Sequence, residues 1–277
     1  MKRILLLADS NNIACRASYV SSHEAVINMD FSILDKMVHS KIRLLHSYGY
    51  DDIEICFTFD EAYSEYIGFN PLINRRKLID EYKGTRPTIS DPQVYERDCW
   101  IQAWMQKLFS DGENVLSYPG AEADDYIGFV SKKIREDTIN DIDVAIWSGD
   151  KDLLQCLSND SHIYAIRRRK GEHEDDLFTE DDVFTEKGVP ASKIRMQLAL
   201  QGDAIDNYKG VRGYGGKKGL DIINDSNTLD DIIQILPKDS STLKRNWDLA
   251  GIGKEYLDDR ALERAMKSIS IINEPKF

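Results

Sequence analysis

Cysteine is scarce in this sequence. The four residues among 277, Cys15, Cys56, Cys99 and Cys156, lie far apart with no C-x-x-C spacing, which argues against a disulfide scaffold and for a reducing compartment. The five histidines form neither an H-E-x-x-H motif nor a Cys/His cluster, so zinc is not expected. No apolar run approaches the roughly 18–20 residues of a membrane span. The opening MKRILLLADS begins basic, but its apolar run stops at Asp9. It is too short for a signal peptide and suits a first strand. Repeats and low-complexity tracts are also missing.

What the chain has in excess is acid, with a net charge of −12. Taken as a total, that argues against a nucleic-acid partner; its distribution argues otherwise. Hydrophobic residues make up 42% and charged residues 30%, the balance of a globular chain long enough for one large domain or two modest ones.

Four segments share one pattern, an apolar run that ends in acid. RILLLADSNN reaches Asp9, DIEICFTFDE reaches Asp60, ENVLSYPGAEADD runs up to Glu122, and DVAIWSGDKD reaches Asp150 and Asp152. The runs are short, rich in Ile, Val, Leu, Phe and Trp, and read as strands. Between them lie helical patterns such as FSILDKMVHSKIRLLHSYG. Alternating strand and helix predicts an α/β fold with a central, mostly parallel sheet flanked by helices, in which ligands sit beyond the carboxyl ends of the strands. Pro71, Pro87 and Pro92 punctuate a polar stretch over about 68–100 that reads as an excursion from the sheet. After Val189-Pro190 helices and glycine turns follow with no further strand. The expected division is therefore 1–185 and 186–277. The final segment, Asn246 to Ser270, reads as amphipathic helix and carries no functional signal.

The helix after Gly120 should bury Ala123, Ile127, Val130 and Ile134, which fall within about 60° of one another. Glu122, Asp124 and Asp125 then crowd its first turn, off that stripe. Acids do suit a helix N-terminus, Asp150 or Asp152 can cap the helix that follows, and Asp203 and Asp206 in LALQGDAIDNYKG suit turns. None of these explains nine carboxylates converging on one edge, which is prohibitive without cations. An oxygen-only donor set selects hard ions, two Mg²⁺ or Mn²⁺, and two such ions suit in-line attack on a phosphodiester.

With those nine acids set aside the rest of the chain is close to neutral, and its positive charge is clumped. Arg75, Arg76 and Lys77 form one group, Lys83 and Arg86 another, Arg167 to Lys170 a third, and Lys209, Arg212, Lys217 and Lys218 a fourth. Each suits a solvated face; together they can follow a phosphate backbone. GVRGYGGKKGL places Gly210, Gly213, Gly215 and Gly216 before a helix starting near Lys217, where backbone N–H groups can approach phosphate. It is not a P-loop, since no Ser or Thr follows the lysines.

In this order and spacing, GAEADD, SGDKDLLQ, GDAIDN and GVRGYGGKKG resemble the structure-specific 5′-nucleases, the phage-type flap endonucleases and the 5′→3′ exonuclease domain of bacterial DNA polymerase I. YKGTR resembles that family's motif on a helical arch. The resemblance covers Asp9 to about Leu220. It implies a PIN-like α/β core, an arch over the active site at about 68–100, and a C-terminal helix–three-turn–helix module that grips duplex DNA. The module's loop, Gly210 to Gly216, holds the backbone, in many members with a K⁺ ion.

The resemblance also implies metal ligation by Asp9, Asp60, Glu122, Asp124, Asp125, Asp150, Asp152, Asp203 and Asp206. Lys83 reaches the scissile phosphate with help from Arg86. Arg75 steers the 5′ strand, with Arg76 beside it, and Tyr82 stacks on a base or serves as packing. The implied activity is metal-dependent 5′→3′ exonuclease and flap endonuclease on DNA with a 5′ flap, overhang or nick. By analogy it extends to RNA–DNA hybrid in primer removal, by a monomer in bacterial or phage-infected cytoplasm, beside a replication-protein partner. Two departures stand out: Tyr214 where the family favours Ile or Val, and Gly216 where Ala or Pro is common. The Arg167–Lys170 run maps to no motif and reads either as an extra DNA contact or as a charged hairpin edge.

Two rival functions fit less well. A non-catalytic binder of DNA structures should have lost carboxylates, and none is lost. A small-molecule phosphatase needs a second Asp two residues after the first strand's Asp, where Asn11 stands. Neither it nor a ribonuclease of related fold has a use for the glycine-lysine loop.

Overall fold

The run Ile4–Ala8 is the centre of strand β1 (Lys2–Asp9) and is fully buried. The computed structural model describes residues 2–60, 75, 78–80, 82–84, 90–118, 121–136 and 142–273. Strand β1 lies parallel to β2 (Tyr50–Thr58) on one side and β4 (Ile142–Trp147) on the other. Beyond β2 comes β3 (Asn114–Leu116), and beyond β4 come β5 (Ile163–Arg168) and β6 (Asp175–Phe178). Among the described strands of this sheet, only the β5–β6 pair is antiparallel. The order β3-β2-β1-β4-β5-β6 reverses direction at β1. The crevice beyond the carboxyl ends of β1 and β4 is thus the topological switch point, where α/β sheets bind ligands.

Strand alternation sends successive side chains to opposite faces, and each face has its own core. Ile4, Leu6 and Ala8 pack with Phe57 and Trp147 against helices α1 (Ser10–Val20), α3 (Ser32–Ser47) and α4 (Pro92–Ser110), through Ile13, Leu34, Leu45, Trp100 and Trp104. The short α2 (His23–Ile27) adds Val26. Leu5 and Leu7 pack with Val144 and Ile146 against α5 (Ala123–Glu136). The stripe expected on α5 is the one observed: Ala123, Ile127, Val130 and Ile134 are all buried. A strand covered on both faces reads as a continuous apolar run, which is why β1 was visible in sequence.

The second cluster runs on into helices α6 (Glu180–Lys187), α7 (Ile194–Gln201), α8 (Lys217–Asp225), α9 (Leu229–Ile235), α10 (Ser240–Ala250) and α11 (Asp259–Asn273), through Val183, Ile194, Ile223, Ile232, Leu243 and Ala261. The expectation of no strand after Val189 is corrected here. A two-stranded antiparallel ribbon joins β7 (Gly202–Asp203) to β8 (Tyr208–Lys209). Two-residue strands contain no apolar run to read. This one depends on close backbone approach: a Cβ on Gly210 would lie 2.2 Å from the Gln201 carbonyl carbon. The buried Asn246 amide fastens it, donating to the carbonyls of Ala199 (3.0 Å) and Lys209 (2.9 Å). The segment from Asn246 to Ser270 is not one helix either. It breaks at 251–258, where Gly253 adopts φ +114°, a conformation that favours glycine.

The Arg167–Lys170 run closes the β5–β6 edge. Arg169 forks onto both oxygens of Asp182 (2.8 Å each) and also bonds Asp176. Arg167 pairs with Glu186 at 3.6 Å and covers the Phe178 ring. Arg167 and Arg169 are thus engaged within the chain, while Arg168 and Lys170 are exposed.

Candidate active site

The ends of β1, β2, β3 and β4 lead to the acids at the switch-point crevice. Asp9 closes β1 and caps α1, accepting from the Asn12 backbone at 3.2 Å, while its second oxygen accepts from Ser148 Oγ at 2.6 Å. Asp60 follows β2 and accepts from the backbone N–H of Ala123 at 2.7 Å, so it caps α5 from a distance. Glu122 precedes α5 and Asp124 and Asp125 lie in its first turn. After β4, the turn 148–152 is built on side chains: Asp150 N–H donates to Ser148 Oγ and Asp152 N–H to Asp150 Oδ1, both at 2.9 Å. Asp203 and Asp206 come from β7 and the turn that follows it.

Among the described residues, two groups of three acids each bring carboxylate oxygens within 4.8 Å of one another: Glu122, Asp124 and Asp125, and separately Asp152, Asp203 and Asp206. Asp60, Asp9 and Asp150 form an electrostatic series that runs into the second group. Burial, then the charge of Asp60, pushes the Asp9 carboxyl up to about 7, with Asp150 adding to it. Burial and then Asp125 and Glu122 raise Asp124 well above the usual carboxylate range. Burial, then Asp150, Asp206 and Asp203, do the same to Asp152. Burial also raises Asp150, and lifts Asp125 to about 6 against the pull of Arg75. Acids held this way strongly favour added positive charge.

The chain itself supplies some. Lys83 Nζ donates to Glu122 Oε2 at 2.8 Å, and its backbone N–H donates to the Asp206 carbonyl at 3.1 Å. Arg75 grips Asp125 with both Nη atoms (3.1 and 2.8 Å) and stands 3.1 Å from Glu122 Oε2. Burial alone would lower both bases; Glu122 for Lys83, and Asp125 with Glu122 for Arg75, hold them well above their ordinary values. Tyr82 is buried, with its hydroxyl donating to Asp206 at 3.2 Å. In this structure, then, Arg75 and Tyr82 face carboxylates; neither lies open for a DNA strand or base to contact. Arg76 and Arg86 lie outside the described residues.

The donor set fits a hard divalent ion. Every candidate ligand is a carboxylate oxygen, and Asp124 Oδ1 and Asp152 Oδ1, one in each group, are buried with no hydrogen-bond partner among the described residues. Buried polar atoms are normally satisfied, and a cation in each group would satisfy these two.

The glycine loop lies beyond the ribbon. Lys209, Arg212, Lys217 and Lys218 are exposed, as are Gly213, Gly215 and Gly216, which have open space where a Cβ would be. Gly216 (φ +65°) is the N-cap of α8 and turns the chain into it. Tyr214, the departure from the family pattern, lies under Lys218 Nζ at 4.3 Å and packs against the core.

Sequence reasoning missed several residues. Lys151 donates to Asp203 at 2.8 Å, and Asn11 and Asn12 accept from the backbones of Asp60 and Gly149. The loop after α10 reaches the site through Gly251 O, which accepts from Arg75 at 2.6 Å, and Gly253 N–H, which donates to Asp125 at 3.2 Å. Its only mark in sequence is the G-I-G spacing.

The chain is similar to known proteins. A 5′-3′ exonuclease of Aquifex aeolicus is 32% identical over 160 residues, covering 58% of this chain and 51% of that protein. DNA polymerase I of Caldicellulosiruptor bescii is 27% identical over 186 residues, covering 67% of this chain and 21% of that protein. The matched region thus spans about half, or less, of these relatives' length. A structure of T5 5′-exonuclease with bound zinc superposes with a TM-score of 0.74 over 99% of this chain and 100% of that one. At 18% identity that likeness is one of fold. Residues 4–188, more than half of the chain, match the family described as 5′-3′ exonuclease, N-terminal resolvase-like domain, and the chain belongs to that family.

Proposed function

We propose that the chain is a metal-dependent 5′→3′ exonuclease and flap endonuclease acting on DNA near junctions of single strand and duplex. The observation that carries the reading is the pair of buried, unpartnered oxygens, Asp124 Oδ1 and Asp152 Oδ1, in two all-carboxylate groups at the switch point. Glu122, Asp124 and Asp125 would hold one Mg²⁺ or Mn²⁺, and Asp152, Asp203 and Asp206 the other, with Asp9, Asp60 and Asp150 between. When bound, such ions offset phosphate charge and ease deprotonation of an attacking water.

The remaining chemistry falls to the chain. Lys83 exchanges Glu122 for the scissile phosphate and stabilises charge as it develops there, with Arg86 assisting. Residues 186–277 contribute the duplex-holding loop together with Asp203 and Asp206, and residues 1–185 contribute the other seven acids. Backbone N–H groups of Gly213, Gly215 and Gly216 take the phosphate backbone, with Lys209, Arg212, Lys217 and Lys218 alongside and a K⁺ ion in the loop. Terminal nucleotides unpair to reach the acids, at a cost of a few kcal/mol. Substrates are 5′-flap, overhanging or nicked DNA, with RNA–DNA hybrid as the setting for primer removal.

The test is cleavage of a 5′-flap duplex labelled at the flap strand's 3′ end, with Mg²⁺ or with EDTA. Short products near the junction that need Mg²⁺ and vanish in Asp150→Asn are expected. Tight flap binding with no cutting under any divalent ion would favour a non-catalytic binder instead.

A further inference from the structure

The Arg75 guanidinium is enclosed on every side that the described residues provide. Asp125 takes its fork, Glu122 stands beside it, Gly251 O accepts from it, and the Tyr256 ring lies 4.2 Å from its carbon. Tyr256 is itself held. Its hydroxyl donates to the Asp248 carbonyl at 2.6 Å and accepts from Arg195 Nη2 at 3.0 Å. Arg195, on α7, also donates to the Trp247 carbonyl (3.0 Å), bonds Glu255 (3.0 Å) and stacks on the Trp247 ring. Gly251 makes room for this: a Cβ there would lie 2.1 Å from Tyr256 Oη and 2.2 Å from Arg195 Nη2. Two residues on, Gly253 N–H caps the same Asp125 oxygen that Arg75 Nη2 holds.

Asp125 therefore spends both oxygens on protein donors, whereas its neighbour Asp124 keeps a buried oxygen without one. Within this group Asp125 is the member held by protein donors and Asp124 the one with an open oxygen, and the loop 251–256 supplies part of that hold through Gly251 O and Gly253 N–H. Among the described residues, neither Tyr256 nor Arg195 bonds any of the nine acids, and Arg75 is the group that lies between.

We propose that Tyr256 is a positioning residue of the active site: backed by Arg195 and admitted by Gly251, it seats Arg75 against Asp125 and Glu122 and so orients the first turn of α5. The proposal rests on the nuclease reading above. A cation facing an aromatic ring is favoured by the ring's quadrupole, more so away from water, and small misplacements of a site's groups cost rate. The ring's contribution should therefore appear in turnover, and only while Arg75 is present.

The experiment is a double-mutant cycle. Tyr256→Leu and Tyr256→Phe are made in the unaltered chain and in Arg75→Gln, with kcat and KM measured on the 5′-flap duplex in Mg²⁺, and urea unfolding followed in EDTA. Tyr256→Leu is expected to lower kcat about tenfold with KM changed by less than about twofold, since a group absent from the substrate contacts affects turnover alone. Tyr256→Phe, which keeps the ring face, should recover most of that loss. In the Arg75→Gln background the Tyr256→Leu effect should shrink to less than about twofold, and the unfolding effects should also be non-additive.

Equal losses of kcat with and without Arg75, or a loss of stability with kcat untouched, would overturn the positioning role. If Tyr256→Leu does not fold, Arg195→Gln, which only slackens the hold on the hydroxyl, replaces it in the same cycle. Failure of the unaltered chain to cleave with Mg²⁺ or Mn²⁺ would overturn the nuclease reading and this proposal together; additive losses in a chain that cleaves overturn this proposal alone.

Discussion

Lys83 Nζ lies 2.8 Å from Glu122 Oε2, forming an ion pair in which both side chains are more than nine-tenths buried. The backbone of Lys83 is left-handed (φ +54°), unusual for a residue with a Cβ. Removing Lys83 leaves the buried Glu122 carboxylate with Arg75 alone, itself shared with Asp125, so its charge is only partly compensated. Lys83→Ala is therefore expected to destabilise the metal-free protein more than the Mg²⁺-loaded one, since divalent ions can replace the lost charge. Turnover should fall about 10²–10³-fold, the range for losing one electrostatic donor at a reacting centre. Thermal unfolding in EDTA and in Mg²⁺, with single-turnover cleavage, checks both.

The raised acids give a pH dependence of definite sign. Asp9 (about 7) and Asp125 (about 6) bind protons in the folded state at pH values where the unfolded chain has released them. The folded state is then the more protonated, so stability falls as pH rises from about 4 to about 7. Divalent ions favour the charged forms and should flatten this slope. Asp182, held at about 2 by the Arg169 fork and the backbone N–H of Thr179, works oppositely and loses its contribution only below about pH 4. Urea unfolding between pH 4.5 and 8, in EDTA and in Mg²⁺, measures the difference.

Glycines in one stretch should respond differently. In Gly210→Ala the new Cβ would meet the Gln201 backbone at 2.2 Å, forcing the β7–β8 ribbon apart and moving Asp203. In Gly213→Ala nothing lies within 4 Å, and only the positive φ opposes it, a cost of about 1 kcal/mol. Gly210→Ala should lose both stability and cleavage, whereas Gly213→Ala should remain folded and be altered mainly in duplex affinity. Thermal unfolding and binding of a duplex in Ca²⁺ separate the two.

Arg169→Ala removes the fork on Asp182 and the bond to Asp176. A stability loss of about 1–3 kcal/mol is expected, the worth of hydrogen bonds to charged groups. Affinity for flap DNA should stay unchanged, because Arg169 is committed to the hairpin. A matching loss of DNA affinity would return the Arg167–Lys170 run to the nucleic-acid surface.

Much of this molecule was legible in its sequence, for a physical reason. Strands covered on both faces must be continuous apolar runs, and an acid that ends such a run marks the strand's carboxyl edge. Asp9, Asp60 and Asp150 were found in this way, as was the stripe on α5. Contacts made across long stretches of chain left no such mark. The seat of Arg75 is made by Gly251 and Tyr256, far away in sequence and joined to it only by folding. The ribbon at Asp203 was missed because two residues per strand carry no periodicity. The split of the acids into two groups depends on where the turn after β7 lands, and spacing does not encode that.

The most direct test of the central claim is the number of divalent ions the acids hold, read by Mn²⁺ titration with electron paramagnetic resonance detection of the free ion. Two sites per chain are expected, one lost in Asp124→Asn and the other in Asp152→Asn, with each variant still folded. An unaltered chain that binds no Mn²⁺ at millimolar concentration, or variants that bind as it does, would contradict the account.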